Sequence, residues 1–209
     1  MNYWVDSARD EAASLVTRLH YSHRMPSNIQ CVVTAHEDGG LFGDRGDAVA
    51  AVLFSIPPTR WSEPVWELSR LIKVDGVRFP LTGLIAYACK VIKKRKACDL
   101  LVSFADSTEG HHGGIYQAAS WNYALQRAPA SSGVTVDGEY ITGRNANHKW
   151  GTRSPGKLRT RLGVEVENVM DTGKYLYWRA LSREGVKMAA RLGLEQRTYP
   201  KPRPSGGSE

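Results

Sequence analysis

Residues 102–121 read VSFADSTEGHHGGIYQAASW. An apolar run ends on an acid, Asp106, and a small polar loop follows with His111-His112 and Gly113-Gly114 before an aromatic segment begins. In open sheets with crossover helices, ligands bind beyond the carboxyl ends of the strands, and a carboxylate there can act as a general base or orient a reacting group. The competing reading is a cap, because Asp and Ser at strand-to-helix turns accept backbone N–H bonds. Gly110, Gly113 and Gly114 permit a close approach by a ligand, and the helix that follows offers N–H groups to an anion. His111 and His112 point apart in an extended backbone, so at most one of them faces a site with Asp106, and the competing reading is a solvated loop.

Three further constellations carry chemistry. In HYSH, His20 and His23 are three apart, which on a helix puts them on one face. Tyr21 between them offers a phenol that donates a proton or a hydrogen bond. His20 with Asp106 would make an acid–base pair or two ligands of a divalent metal; the alternative is the ordinary preference of histidine for a helix C-terminus. In WELSRLIKV, alternation puts Glu67 and Ser69 on one face, while Arg70 interrupts the apolar face opposite. A charged residue inside such a strand needs a buried acid or a bound phosphate. Lys93–Lys96 and the stretch from Arg144 to Arg161 are basic, and the second holds six Lys or Arg, no acid, and Trp150. Basic residues with an interleaved aromatic suit a nucleic-acid backbone and a stacked base. Lysines at a helix C-terminus are ordinary dipole complements.

The elements that must position these residues follow from patterning. Ser7 to Asp10 reads as a capping box, and Ala12, Leu15, Val16 and Leu19 then recur at helical spacing until HYSHRMP, where Pro26 stops the helix. IQCVVTAH, AVAAVLFSI and VWELSRLIKV read as an antiparallel meander around the turn-rich EDGGLFGDRGD. Leu81, Leu84, Ile85, Ala88 and Ile92 mark a second helix, opened by Pro80. LLVSFA is nearly all apolar, as in a strand covered on both faces, and GGIYQAASW is a short helix. GVTVDGEYIT is a hairpin turning at Asp137-Gly138. KYLYWRAL is a last strand and REGVKMAARLGL a last helix. The fold class expected is α/β (α+β), as one domain over residues 1–199, with a disordered Pro/Gly/Ser-rich tail over 200–209.

The bulk properties bound the function. The chain has 209 residues, is 42% hydrophobic and 23% charged, and carries a formal net charge of +7. That favours a polyanionic partner, nucleic acid before membrane. No apolar run approaches the roughly 18 residues of a membrane span, and the N-terminal residues lack a signal-peptide pattern. Three cysteines without a CxxC pair suit a reduced cytosolic protein without a cysteine zinc site.

The order meander, helix, buried strand, helix and late strands resembles the GNAT superfamily of N-acetyltransferases. Within it, LHYSHRMPS, ELSRL, SFAD…GHHGGIYQAASW and KYLYW together resemble the Mom family of phage DNA-modification proteins. The likeness runs from about Leu15 to Arg179. It implies a GNAT-like mixed, mostly antiparallel central sheet flanked by helices. It also implies an enzyme that adds a carbamoylmethyl (acetamido-type) group to N6 of adenine in double-stranded phage DNA, protecting it from restriction in the cytoplasm of the bacterial host. Carried over, the His-Tyr motif falls on His20 and Tyr21, and the strand-end acid on Asp106. Ser69, Arg70, Ser107, His111, Tyr116 and Trp121 become the candidates for holding substrate or donor, with Tyr116, Trp121 and Trp150 able to stack on a flipped base. Lys149, Trp150, Arg153, Lys157, Arg159 and Arg161 become the DNA-binding set. The resemblance implies an acyl or glycine-derived donor, with acetyl-CoA one option, and leaves a metal open: iron, if used, would sit on His20 and Asp106. The chain departs from ordinary acetyltransferases at RLIKVDGVRFPLTG, which has Arg78 and two separated glycines but not the usual Gly-rich pyrophosphate turn, and Pro80 there has no N–H. Two other readings remain open: a GNAT-like acyltransferase acting on protein, tRNA or a small amine, and a DNA-binding protein without catalysis.

Overall fold

The computed structural model describes residues 2–39, 44–58 and 61–201. A seven-stranded sheet has the order β1 (Asn2–Val5), β2 (Ile29–Gly39), β3 (Asp44–Ser55), β4 (Val65–Lys73), β5 (Leu100–Asp106), β10 (Lys174–Ala180), β6 (Asn122–Arg127), and a three-stranded sheet has the order β8 (Glu139–Thr142), β7 (Ser131–Val136), β9 (Val166–Met170). The chain forms two compact units: one takes in residues 1–104, 113–125 and 176–209, the other residues 105–112 and 126–175.

In the first unit the meander is β2 (Ile29–Gly39), β3 (Asp44–Ser55) and β4 (Val65–Lys73), paired antiparallel. The turn expected between β2 and β3 falls on residues 40–43, which lie outside the described residues. A short β1 (Asn2–Val5) pairs antiparallel with β2. The helix α1 (Arg9–Leu19) packs Ala12, Leu15 and Val16 against Val32, Ala51, Leu53 and Ile72 of the sheet. Its start corrects the expected capping box: Ala8 is the N-cap and no side chain caps the helix. Asp6, just upstream, instead accepts from the Val32 amide and pairs with Arg95 at 2.7 Å.

α2 (Leu81–Lys94) buries Leu84, Ile85, Ala88, Cys89 and Ile92, the stripe its spacing predicts. It leads to β5 (Leu100–Asp106), which runs parallel to β4; a crossover helix is what a parallel return requires. α3 (Gly114–Ala118) and β6 (Asn122–Arg127) follow. After the second unit come β10 (Lys174–Ala180) and α6 (Arg183–Arg191). Val65, Leu100, Val102, Ala124, Leu176, Trp178 and Met188 form the core on this side. The tail expected from Pro200 lies outside the described residues from 202 onward, and the Pro200 carbonyl accepts a bond from Gln117.

In the second unit β7 (Ser131–Val136) and β8 (Glu139–Thr142) form the expected hairpin. Asp137 (φ 49°) and Gly138 (φ 80°) are both left-handed, as a type I′ turn demands. β9 (Val166–Met170) pairs with β7 on its other side. The basic stretch is two helices, α4 (Gly143–Trp150) and α5 (Pro155–Leu162). They are held to the small sheet by Ala146 and Leu158, which pack with Val134 and Val166.

Candidate active site

β4 and β5 pair over three residues only, Val65↔Leu100, Trp66↔Leu101 and Glu67↔Val102, and then part. The cause lies on β4. Opposite β3, Arg70 pairs with Leu53 and Leu68 with Phe54, so the register skips Ser69. Such a bulge bends a strand and re-aims its side chains, and bulges concentrate near active sites. The Ser69 hydroxyl donates to the Leu53 carbonyl at 3.3 Å, and the Ser103 hydroxyl bridges the parting by donating to the Leu68 carbonyl at 2.8 Å. The Arg70 guanidinium donates to the main-chain carbonyls of Arg24 and Ser69. Backbone oxygens are thus among the partners of a charge for which the strand pattern calls for an acid or a phosphate.

Tyr116 on α3 is 8% exposed. Burial pushes its phenol up to about 12; a hydrogen bond with Ser103 works the other way, and Tyr21, Glu67 and Tyr177 add to the rise. The first unit therefore gathers a phenol that stays protonated, the Glu67 carboxylate and a second phenol, Tyr21, 48% exposed, around the parting strands. A protonated phenol in such a place donates a hydrogen bond to developing charge, or its proton to a leaving group. Tyr116→Phe is expected to lower turnover about 10²- to 10⁴-fold. It also removes part of the alkaline loss of stability. Since the folded pKa is raised, the contribution linked to Tyr116 is intact below pH 10 and is lost as pH climbs through about 12. Melting scans across that window, beside rate measurements, check both effects; equal turnover in the variant would remove Tyr116 from the reaction.

Three expectations for this unit need correction. His20 and His23 do not share a helical face. α1 stops at Leu19, His20 is extended, and His23 is left-handed (φ 46°). The His20 Nδ1 accepts from the Ser22 amide at 3.1 Å and lies 2.9 Å from its hydroxyl, which turns the chain off the helix. The Tyr21 ring lies over His20, with centroids 4.3 Å apart. Trp121 cannot stack on a flipped base: it is 0% exposed, packed on Tyr116 in the core. Tyr116 is nearly as deep, and it packs on Trp121 and Tyr177, so no face of it is open for stacking.

In the second unit Asp106 ends β5. Its side chain accepts from the Thr108 amide at 3.1 Å, capping a short 3₁₀ turn, and its other oxygen pairs with Lys174 at 2.8 Å. The cap that the sequence offered as the competing reading is therefore formed, and Lys174, the first residue of KYLYW, is a partner that no sequence pattern marked. The Ser107 hydroxyl donates to the Gly173 carbonyl at 2.7 Å and lies 2.8 Å from the Thr172 hydroxyl. His111 is exposed, and its amide bonds the Asp106 carbonyl. Trp150 is half-buried against the small core, and the Lys149 ammonium lies 4.7 Å from the centre of its ring. Arg144, Lys149, Arg153, Lys157, Arg159 and Arg161 are all exposed.

The family model of the Mom protein family matches residues 4–201. The chain belongs to the Mom protein family. No curated protein matches this Mom-family chain. Among solved structures it is similar to an N-acetyltransferase from Staphylococcus aureus, at 9% identity and TM-score 0.47, over 87% of this chain and 99% of that one. It is similar also to aminoglycoside 6′-acetyltransferase type Ii, at 12% identity and TM-score 0.46, over 87% and 98%. A GNAT family acetyltransferase from Elizabethkingia anophelis with acetyl-CoA bound gives 9% identity and TM-score 0.40, over 72% and 75%.

The groups implied for this Mom-family chain can be tested against its own residues. The Nδ1 of His20 is engaged by Ser22, and the carboxylate of Asp106 by Lys174 and Thr108. Among the described residues no group of three or more His, Cys, Asp or Glu could hold a metal ion. A CoA pyrophosphate does not find the usual cradle either. Pro80 is the N-cap of α2, the Phe79 amide bonds the Val77 carbonyl, and the Gly83 amide bonds the Pro80 carbonyl. Among the described residues no helix is long and apolar enough to cross a membrane.

Proposed function

We propose that this protein is a transferase that adds a carbamoylmethyl (acetamido-type) group to N6 of adenine in double-stranded phage DNA, in the cytoplasm of a bacterial host, shielding it from restriction. One observation carries the reading: the family match runs over residues 4–201, and so takes in both the polar parting of β4 and β5 and the two basic helices. N6 of adenine is a poor nucleophile, because its lone pair is delocalised into the ring. A group must accept its proton as the new bond forms, and another must stabilise charge on the donor. Tyr116, held protonated by burial, is the hydrogen-bond donor of this scheme, and Glu67 with Tyr21 flanks it in the first unit. His20 and Asp106 are assigned catalytic roles on the family resemblance, Asp106 as a carboxylate that stays on its strand end through its cap. A donor that delivers the carbamoylmethyl group is glycine-derived and loses a leaving group from its methylene carbon as the N6–C bond forms, whereas acetyl-CoA, with CoA as the leaving group, would deliver only an acetyl group.

Expression of the chain in a bacterium is expected to yield DNA that resists restriction enzymes with adenine in their sites, and a new adenine species on digestion to nucleosides, read by mass spectrometry. Fully cut DNA with only ordinary nucleosides would reject the reading. Modified tRNA or protein instead of DNA would mark an acyltransferase of another substrate class.

A further inference from the structure

Leu158 is buried and Leu162 half-buried against the small core, so they fix the inner face of α5. At 3.6 residues per turn the outer face then carries Gly156, Lys157 and Thr160, with Arg159 and Arg161 on its two flanks. All five are exposed. Gly156 has no use inside the protein: it needs no left-handed φ, and a Cβ there would meet nothing within 4 Å. Glycine is the poorest helix former after proline, so its presence on the outermost line of a helix points to something that approaches from outside. Thr160 keeps that line low as well, since its hydroxyl folds back onto the Gly156 carbonyl at 3.1 Å. The charge is of one sign. No Asp or Glu occurs from residue 140 to 164, and among the described residues none of the six Lys and Arg of this stretch forms an ion pair with an acid. α4 reaches α5 through four residues that begin at Gly151 (φ +67°), so the basic side chains of both helices belong to one short helix–turn–helix segment.

We propose that α5 is the helix that enters the major groove of duplex DNA, with Gly156 and Thr160 allowing close approach, Lys157 reaching base edges, and Arg159 and Arg161 bonding the phosphates on either side. The inference rests on the DNA reading above. The dimensions agree: the groove is about 12 Å wide and a helix with its side chains about 10–12 Å across. Adenine N6 also lies on the major-groove edge. A low outer line with arginines on both flanks is the shape such entry needs, whereas a helix lying along the backbone gains nothing from glycine.

The test is fluorescence anisotropy of the purified full chain on a short duplex, with Gly156→Gln beside wild type. A second duplex, with glucosylated 5-hydroxymethylcytosine filling its major groove, is measured with wild type alone. Glutamine is the better helix former and neutral, so the variant is expected to melt no lower while binding at least about tenfold more weakly, as when one good base-pair interaction in a groove is removed. The glucosylated duplex is expected to bind wild type equally poorly, and this arm does not depend on the variant's fold. Wild-type binding by Gly156→Gln, or indifference to glucosylation, overturns the placement of α5 while an adenine adduct in expressing cells keeps the DNA reading standing. Failure of wild type to bind the plain duplex, with no adduct in cells, overturns both.

Discussion

Asp106→Asn is expected to leave adenine unmodified while the protein melts close to wild type. Asparagine caps nearly as well as aspartate, so the bond from the Thr108 amide survives. The oxygen that paired with Lys174 becomes an NH2 group, which cannot accept from the ammonium, so Lys174, its side chain 33% exposed, turns to solvent and the variant gives up that pair. Loss of a general base costs about 10²- to 10⁴-fold in rate. Stability and activity thus separate in one substitution. Nucleoside mass spectrometry of DNA from expressing cells, beside a thermal melt of the purified variant, reads both. Modification at close to the wild-type rate would reduce Asp106 to the cap and ion pair seen in the structure.

Neutralising Arg153, Lys157, Arg159 and Arg161 together is expected to collapse duplex binding without unfolding the second unit. All four are exposed, and the small core is built by Val134, Ala146, Leu158 and Val166 instead. Of the four, Arg161 also donates to the Trp150 carbonyl at 2.7 Å, an exposed bond whose loss is minor beside that core. Each phosphate that a cation neutralises contributes about 0.9 to the slope of log K against log salt, so the slope is expected to flatten by about 3 to 4. Titrations at several salt concentrations measure it. An unchanged slope would move the DNA surface elsewhere, and Lys93–Lys96, at the end of α2, would be the next to neutralise.

The parts of this architecture legible in the sequence are those where local pattern and tertiary burial agree. Ile29–Gly39, Asp44–Ser55 and Val65–Lys73 carry strand residues between turn signals, and α2 buries the stripe its spacing marks. β1, β6 and β9 are four to six residues long, too short for alternation to outweigh other readings. HYSH misled because spacing of three has meaning only on a helix; the Ser22 amide and hydroxyl at His20 Nδ1 end the helix one residue too early. Trp121 misled for a different reason. An aromatic beside a glycine loop reads the same whether it faces a ligand or a core, and contact with Tyr116 decides for the core. Glu67 and Ser69 were visible as one polar face, yet the bulge that parts the strands depends on how β3 meets β4, which no single segment encodes.

Gly113 constrains the history of this protein more than its stability. It is the N-cap of α3, left-handed at φ +84°, and a Cβ there would overlap the Tyr177 ring. That ring faces Tyr116, and its hydroxyl accepts from Gln117, on the same helix. A side chain at 113 therefore displaces Tyr177 and, through it, the phenol beside the parted strands. Shrinking Tyr177 first would make room, but it would take away the neighbour of Tyr116 and the acceptor of Gln117. Position 113 therefore cannot take a side chain while this ring stands at 177, so an exchange at 113 can only follow one at 177.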